Sequence, residues 1–226
     1  MRIDDDQEPF TTVEFADNPE PRVPCVLLLD TSASMAGSAI DELNEGLRRF
    51  IGEVAEDSLA HKRVDLAVIT FGPVKVEVPF GVVPIGLALD LKAADATPMG
   101  AAIVRAASLV EARKREYRAN RIAYFRPWIF LITDGEPTDD WKRAAEVVAA
   151  GEERGRFSFY AVAVEDASME TLTSISVRKP LRLRGLAFRE LFAWLSNSMS
   201  SMVHSQPGQL ARLPRPDGPD GWTDAQ

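Results

Sequence analysis

Two short apolar segments of the sequence each end in an aspartate. The first segment ends in Leu29-Asp30, and the second ends in Thr133-Asp134. In open parallel sheets, ligands bind outside the carboxyl ends of the strands, at the point where the winding direction reverses. If the two segments are neighbouring strands at such a reversal, Asp30 and Asp134 share one crevice.

Hydroxyl side chains follow the first of these aspartates at regular spacing. The sequence reads Asp-Thr-Ser-Ala-Ser, which places Asp30, Ser32 and Ser34 at alternate positions. Alternate residues of an extended chain point in the same direction. We therefore expect these three side chains to offer oxygen atoms to one point.

Two further features favour a cation site. Thr97 precedes a proline that opens a predicted helix and supplies another hydroxyl, and Gly135 allows a sharp turn after the second aspartate. Two carboxylates and three hydroxyls are hard oxygen donors, which Mg²⁺ prefers in an octahedral arrangement. Mn²⁺ shares this preference. The sequence therefore predicts a site for Mg²⁺ or Mn²⁺ whose ligands are Asp30, Ser32, Ser34, Thr97 and Asp134.

The elements that must position these side chains alternate between strand and helix periods. Continuous apolar runs at 23–30 and 128–134 predict strands buried on both faces. The break at Gly72-Pro73 predicts an antiparallel hairpin between strands at 63–71 and 74–78. Further strands are predicted at 157–164 and 181–183, a loop at 80–96, and helices at 38–59, from Thr97 onward, at 139–153, 169–175 and 188–203. This alternation predicts an α/β fold with a mostly parallel sheet covered by helices on both faces.

Other polar residues are assigned local structural roles. Thr138 is predicted to cap the helix at 139–153, with Asp139 and Asp140 favouring its positive end. Basic residues cluster at 113–126 and at 178–189. We interpret these clusters as a solvated helix end and a charged edge strand, with a surface for a partner as the alternative.

The composition bounds the possible classes of function. The 226 residues are 46% hydrophobic, and 34 acidic against 26 basic side chains give a net charge of −8. A generic binder of nucleic acid or of an anionic membrane has a basic excess, so we expect neither partner. A single cysteine excludes an internal disulfide and a cysteine-based zinc site, and two histidines exclude a histidine-rich metal site.

One domain is expected at residues 23–204, between an extended lead-in at 1–22 and a Pro/Gly-rich tail at 205–226. The acidic N-terminal residues do not resemble a signal peptide. No apolar run reaches the roughly 18 residues that a membrane helix requires. We therefore expect a cytoplasmic protein.

The five predicted ligands resemble the metal-ion-dependent adhesion site of von Willebrand factor A domains. That site has the pattern Asp-x-Ser-x-Ser, then Thr, then Asp, and this sequence matches it at every position, with Asp30, Ser32, Ser34, Thr97 and Asp134. The resemblance implies a von Willebrand A-type, doubly wound, mostly parallel sheet with one antiparallel edge strand. It also implies that the first and fourth strands flank the point of reversal.

The wider sequence is similar to the bacterial TerY group over about residues 20–222. Stretches at 43–47, 97–103, 126–139 and 185–196 carry the similarity, among them Ile-Thr-Asp-Gly-Glu-Pro-Thr-Asp at 132–139. This similarity implies a setting in tellurium-resistance and stress-response gene clusters. Some members of the group are associated there with a Ser/Thr kinase and a metal-dependent phosphatase, which become the expected partners.

The function that we favour is a metal-ion-dependent protein-interaction module rather than an enzyme. Two carboxylates only neutralise a divalent cation, and the resemblance implies aspartates held partly through water and an ion that stays electrophilic. An Asp or Glu of a partner can then fill its open position. A Mg²⁺-dependent phosphoryl-transfer enzyme is one alternative. However, haloacid-dehalogenase phosphatases need an aspartate where Ser32 stands, and the sequence has no Gly-rich phosphate loop. A scaffold whose metal is purely structural is the other alternative.

Overall fold

Six strands form one sheet in the computed structural model, which describes residues 15, 17–165, 167–206 and 223. The strands are β1 (Val23–Asp30), β2 (Val64–Phe71), β3 (Lys75–Val82), β4 (Trp128–Thr133), β5 (Ser158–Ala163) and β6 (Leu181–Arg182). Their order across the sheet is β3-β2-β1-β4-β5-β6, and neighbouring strands are parallel except for β2 and β3. The prediction of a mostly parallel sheet with one antiparallel edge strand is confirmed.

Helices cover both faces of this sheet. In the described part of the chain they are α1 (Ser38–Glu56), α2 (Ser58–Arg63), α3 (Met99–Ala119), α4 (Lys142–Glu153), α5 (Met169–Ile175) and α6 (Phe188–Val203). A short 3₁₀ turn, Ala33–Met35, precedes α1. Among the described residues, no helix combines the length and the apolar character needed to cross a membrane.

Strand β1 lies in the middle of the sheet and is buried along its whole length. Successive side chains of a strand point to opposite faces. Leu27 and Leu29 therefore pack in the half of the core that contains α1 and α6, whereas Val26 and Leu28 pack in the half that contains α3 and α4. The strand contributes to both halves of the core and ends in a polar residue, Asp30.

The winding direction of the chain reverses between β1 and β4. From β1 the chain continues to β2 and β3 on one side of the sheet, and from β4 it continues to β5 and β6 on the other. Strands β1 and β4 are parallel neighbours, with Leu29 opposite Ile132. The carboxyl ends of these two strands therefore meet at the crevice where sheets of this kind bind ligands.

The predicted helix over 38–59 is wrong at its end, because the chain divides there into α1 and α2. Asp57 lies between the two helices and accepts hydrogen bonds from the backbone N–H groups of Leu59 and Ala60, both at 2.9 Å. An aspartate that caps a new helix in this way ends the preceding one. The predicted loop at 80–96 is also shorter than expected, since β3 continues to Val82.

The predicted lead-in and tail lie largely outside the described residues. Phe15 is described, and its buried ring meets the ring of Tyr117 edge-on, with 5.9 Å between the centroids. Arg22 is fully buried. Thr223, in the predicted tail, forms an antiparallel bridge with Leu183 beside β6. Described residues from both flanking segments thus pack on the domain.

Part of the basic cluster at 113–126 is buried rather than solvated. Arg113 on α3 is 2% exposed, and its Nε donates to Oδ2 of Asp65 on β2 at 2.7 Å. The hydroxyl of Tyr117 donates to the same carboxylate, and burial together with the charge of Asp65 raises the pKa of Tyr117. Lys114 is buried as well and pairs with Glu111. The prediction of a solvated helix end is wrong for both basic residues, because this face of α3 packs against the domain.

We expect Asp65→Ala to lower the free energy of unfolding by about 3 kcal/mol, because it leaves the buried Arg113 without the carboxylate on its Nε. Urea denaturation followed by circular dichroism measures the change. Glu45→Ala is the control, since Glu45 pairs with Arg48 on the exposed face of α1 and contributes little. Equal effects of the two substitutions would contradict a stabilising role for the buried pair.

Candidate metal centre

The carboxyl ends of β1 and β4 carry the two predicted carboxylate ligands. Asp30 is the last residue of β1, and Asp134 follows Thr133, the last residue of β4. The hydroxyl of Thr133 donates a hydrogen bond to Oδ2 of Asp30 across the two neighbouring strands. Both aspartates thus lie at the same end of the sheet.

The loop after β1 folds around the carboxylate of Asp30. Its Oδ1 atom accepts a hydrogen bond from the backbone N–H of Ser32 at 2.8 Å, the geometry of an aspartate-stabilised turn. The hydroxyl oxygens of Ser32 and Ser34 lie 3.0 Å apart. Ser34 in turn donates to Oδ1 of Asp134 at 2.7 Å. One continuous chain of polar contacts therefore joins four of the five predicted ligands.

Thr97 completes the group and lies beside Gly135. A Cβ atom placed on Gly135 would lie 3.4 Å from Oγ1 of Thr97 and 3.6 Å from Oγ of Ser34. Both hydroxyls therefore border the same small space. Gly135 was predicted to allow a sharp turn, but it is not among the glycines with positive φ. A Cβ atom here would make only ordinary van der Waals contacts, so position 135 shows neither a positive φ nor a steric requirement for glycine.

Two residues that were predicted to belong to the start of another helix, Thr138 and Asp139, position Thr97 and the start of α3. The backbone N–H of Thr97 donates to the hydroxyl of Thr138 at 3.1 Å, and the N–H of Thr138 donates to the carbonyl of Thr97 at 2.9 Å. The carboxylate of Asp139 accepts from the N–H groups of Gly100 at 2.9 Å and Ala101 at 2.8 Å, at the start of α3. The loop after β4 is thereby fastened to the beginning of α3.

The prediction that Thr138 caps a helix at 139–153 is therefore wrong. That helix, α4, begins at Lys142, and Trp141 before it makes no side-chain cap. The sequence does contain a capping pattern, a Thr-Asp pair before residues with helical spacing. However, the N–H groups that donate to Asp139 belong to α3. A capping pattern identifies side chains that accept hydrogen bonds, and it does not identify the helix that donates them.

The group of predicted ligands has a buried side and an open side. Asp30, Ser32 and Thr97 are buried, Asp134 is half-buried, and Ser34 is exposed. A molecule from outside the protein can therefore approach along the side formed by Ser34 and Asp134.

Burial raises the pKa of both carboxyl groups above the ordinary value for aspartate. At Asp30, hydrogen bonds from Ser32 and Thr133 lower the pKa, whereas the negative charge of Asp134 raises it further. At Asp134, the hydrogen bond from Ser34 opposes the effect of burial. Because both pKa values are raised, ionisation destabilises the metal-free fold, and stability falls as the pH rises from the ordinary pKa to the raised one. A cation beside the carboxylates would offset this loss.

The donor atoms at this site are all oxygen. Within the described residues, no group of three or more histidine, cysteine, aspartate or glutamate side chains could hold a metal ion. A cation here would therefore depend on two carboxylates supplemented by hydroxyls. Hard divalent cations require such donors, and the site offers none of the nitrogen or sulfur ligands that favour zinc. The residues present fit Mg²⁺ or Mn²⁺.

The architecture defines a class of protein, a doubly wound α/β domain with an oxygen-rich site at its point of reversal. The sequence matches the family model of the von Willebrand factor type A domain over residues 25–189. The chain therefore belongs to the von Willebrand factor type A domain family. No curated protein matches the sequence significantly.

Solved structures with the same fold come from distant proteins. The von Willebrand factor domain of the type V pili tip protein from Porphyromonas gingivalis is 10% identical, with a TM-score of 0.59, over 84% of this chain and 98% of that one. The open conformation of the pilus adhesin SpaC from Lactobacillus rhamnosus GG is 13% identical, with a TM-score of 0.62, over 81% of this chain and 30% of the adhesin. Proximal thread matrix protein 1 from the mussel byssus is 14% identical, with a TM-score of 0.56, over 80% of this chain and 48% of that protein.

These neighbours are similar to the chain in fold alone. The chain spans about half the length of the mussel protein and less than a third of the adhesin. What those longer proteins do as wholes therefore does not transfer to this domain.

We expect Asp134→Asn to raise the melting temperature of the metal-free protein slightly and to abolish its response to Mg²⁺. The amide keeps an oxygen that can accept from Ser34, but it removes a charge that burial disfavours. The wild type should gain stability as Mg²⁺ increases, because a ligand that binds only the folded state shifts the unfolding equilibrium. Calorimetry in chelator and in Mg²⁺ measures both effects. The exposed Asp41→Asn on α1 is the control, and a full Mg²⁺ response in Asp134→Asn would contradict the assignment.

We expect Asp139→Ala to weaken Mn²⁺ binding about tenfold and to lower stability by about 1 kcal/mol. The substitution removes both acceptors at the start of α3, so the backbone of Thr97 is held less firmly. Isothermal titration with Mn²⁺ and urea denaturation measure the two effects, and Asp139→Asn should recover part of each. Asp140→Ala is the matched control, because its carboxylate accepts from Lys142 at the start of α4. Unchanged Mn²⁺ affinity in a destabilised Asp139→Ala would limit this residue to a structural role.

Proposed function

We propose that the chain is a metal-ion-dependent protein-interaction module that binds Mg²⁺ or Mn²⁺ and, through the ion, an acidic residue of a partner protein. The observation that carries this proposal is the convergence of oxygen donors from three separate segments on one end of the sheet. Contacts join Asp30, Ser32, Ser34 and Asp134, and Thr97 borders the same space.

The charge of the donor set supports a site that recruits a partner. Two carboxylates neutralise a divalent cation but leave no excess negative charge, and hydroxyl ligands add none. The ion would therefore remain attractive to a further carboxylate. Because Ser34 is exposed and Asp134 is half-buried, that carboxylate can approach from solvent. Contact between the ion and a desolvated carboxylate, ringed by complementary surface, would supply the affinity.

Family membership supports the same class of function. Von Willebrand factor type A domains commonly serve as protein-interaction modules, and the chain belongs to this family. Two structural neighbours are described as a pilus adhesin and a pili tip protein. We extend to this chain only the mode of interaction, and the partners of those proteins remain their own.

The sequence similarity to the TerY group supports a narrower proposal. We propose that the protein acts in the cytoplasm, in a tellurium-resistance or stress-response system, and that its partner is an associated Ser/Thr kinase or metal-dependent phosphatase. The stretches at 97–103 and 126–139, which include Thr97 and Asp134, are the main support for this setting.

The proposal is for a binding module and not for an enzyme. A Mg²⁺-dependent phosphatase of the haloacid-dehalogenase type needs a second aspartate where Ser32 stands. Hydrolysis of p-nitrophenyl phosphate by the wild type, lost in Asp30→Ala, would favour the phosphoryl-transfer alternative instead. Partner binding that persists in chelator would favour the scaffold with a structural metal.

We expect Asp30→Ala and Asp134→Asn each to lower partner capture at least tenfold, because each removes one of the two charges that hold the ion. The measurement compares partners captured by the immobilised wild type and variants in Mg²⁺, Mn²⁺, Ca²⁺ and chelator. Wild-type capture should occur in Mg²⁺ and Mn²⁺, fall in Ca²⁺, which prefers about 6–8 oxygen ligands, and disappear in chelator. Circular dichroism checks that the variants fold, and Asp41→Asn is the control on α1. Capture that is stronger in Ca²⁺ than in Mg²⁺ and Mn²⁺, or capture that is unchanged in both variants, would contradict the proposal.

A further inference from the structure

A groove runs beside the candidate metal centre, between α3 and the start of α4. It encloses about 450 Å³, and its lining includes Ala101, Arg105, Asp139 and Arg143. The end of the groove nearest the metal centre is formed by Asp139, which accepts a hydrogen bond from the N–H of Ala101 and so joins the loop after β4 to α3. A peptide bound at the metal centre could therefore continue directly into this groove.

The groove carries two guanidinium groups that no described carboxylate neutralises. Arg105 is half-buried on α3 and Arg143 is exposed on α4, and neither forms a hydrogen bond or an ion pair with a described residue. The nearby carboxylates are already engaged. Asp139 accepts from two N–H groups of α3, where the helix dipole also offsets its charge, and Asp140 accepts from the N–H of Lys142 at 3.0 Å.

The floor of the groove is built from small and apolar residues. Gly100, Ala101 and Val104 line it. A Cβ atom on Gly100 would lie 2.8 Å from the carbonyl oxygen of Asp140, so α3 and the segment before α4 pack closely there. Residues 101, 104 and 105 share one face of α3, because positions three and four apart are neighbours on a helix. The aliphatic stem of an acidic side chain can lie on this floor with its carboxylate toward Arg105.

The length of α3 between its start, two positions after Thr97, and Arg105 sets the expected spacing of the two residues that the metal centre and the groove would bind. Arg105 lies six positions after Met99, where α3 begins, which corresponds to a rise of about 9 Å along the helix. An extended peptide advances roughly 3.3 Å per residue. A side chain three or four positions from the metal-bound residue would therefore reach Arg105.

We propose that this groove binds a second acidic side chain of the same partner segment, through Arg105 and Arg143. The inference rests on the proposed function, because the first carboxylate of that segment is the one that binds the ion. It specifies the partner as an extended segment with two acidic residues three or four positions apart. The guanidinium groups of Arg105 and Arg143 would select the second residue, and the ion would select the first.

The test uses synthetic peptides that carry a fluorescein label and have alanine at every position that is not varied. One peptide carries a single Asp, and the others carry the same Asp with a Glu placed one to six positions away on either side. Fluorescence anisotropy in Mg²⁺ should show binding of the single-Asp peptide that is lost in chelator. A Glu three or four positions away should strengthen binding about fivefold, as expected for a partly exposed ion pair, and the gain should shrink as salt increases.

Variants of the groove complete the test. We expect the gain from the added Glu to disappear in Arg105→Glu, in the milder Arg105→Gln and in Arg143→Glu. Binding of the single-Asp peptide should keep its metal dependence in each variant. Arg115→Glu is the matched control, because it makes the same charge change at an exposed position of α3 outside the groove. If the single-Asp peptide binds but no spacing of Glu strengthens it, or if Arg115→Glu removes the gain equally, the groove does not bind the second residue. If no peptide binds in a metal-dependent way, the proposed function fails together with this inference.

Discussion

The desolvated carboxylate of Asp30 is the constraint on which the rest of this site depends. A strand that is buried on both faces ends at this residue, which is itself 0% exposed. Burial takes the carboxylate out of water, and two hydrogen bonds, from the N–H of Ser32 and the hydroxyl of Thr133, restore only part of what hydration supplied. Burial raises the pKa of Asp30, and the negative charge of the second carboxylate, Asp134, raises it further. A cation beside both groups would offset this unfavourable arrangement.

This constraint explains the arrangement of the surrounding elements. The two carboxylates approach each other because β1 and β4 are parallel neighbours at the point where the winding reverses. Ser34 links the loop after β1 to Asp134, so the loops after both strands are tied together on the open side. Thr138 and Asp139 then tie the loop after β4 to α3, which fixes the backbone of Thr97. These hydrogen bonds connect three segments that are distant in sequence and place their oxygen atoms at one site.

The sequence was sufficient to predict those features that depend on local pattern. The apolar runs that end in Asp30 and Asp134, the alternation of strands and helices and the Gly72-Pro73 hairpin together predict the sheet, its antiparallel edge and the end at which the two aspartates meet. Features that depend on distant partners could not be read in the same way. Asp139 looks like a residue of the helix that follows it, yet it accepts from a helix about forty positions earlier. Arg113 looks solvated within a basic cluster, because its partner on β2 is nowhere near it in sequence.

Locating the ion in the crystal would show whether the five proposed ligands hold one divalent cation. Crystals grown with Mn²⁺ and measured on both sides of the manganese absorption edge would give its position without assumptions about the ligands. We expect a strong anomalous peak at the carboxyl ends of β1 and β4, within coordination or one-water distance of Asp30, Ser32, Ser34, Thr97 and Asp134. A peak elsewhere on the protein, or none at a Mn²⁺ concentration that stabilises the protein in solution, would contradict it.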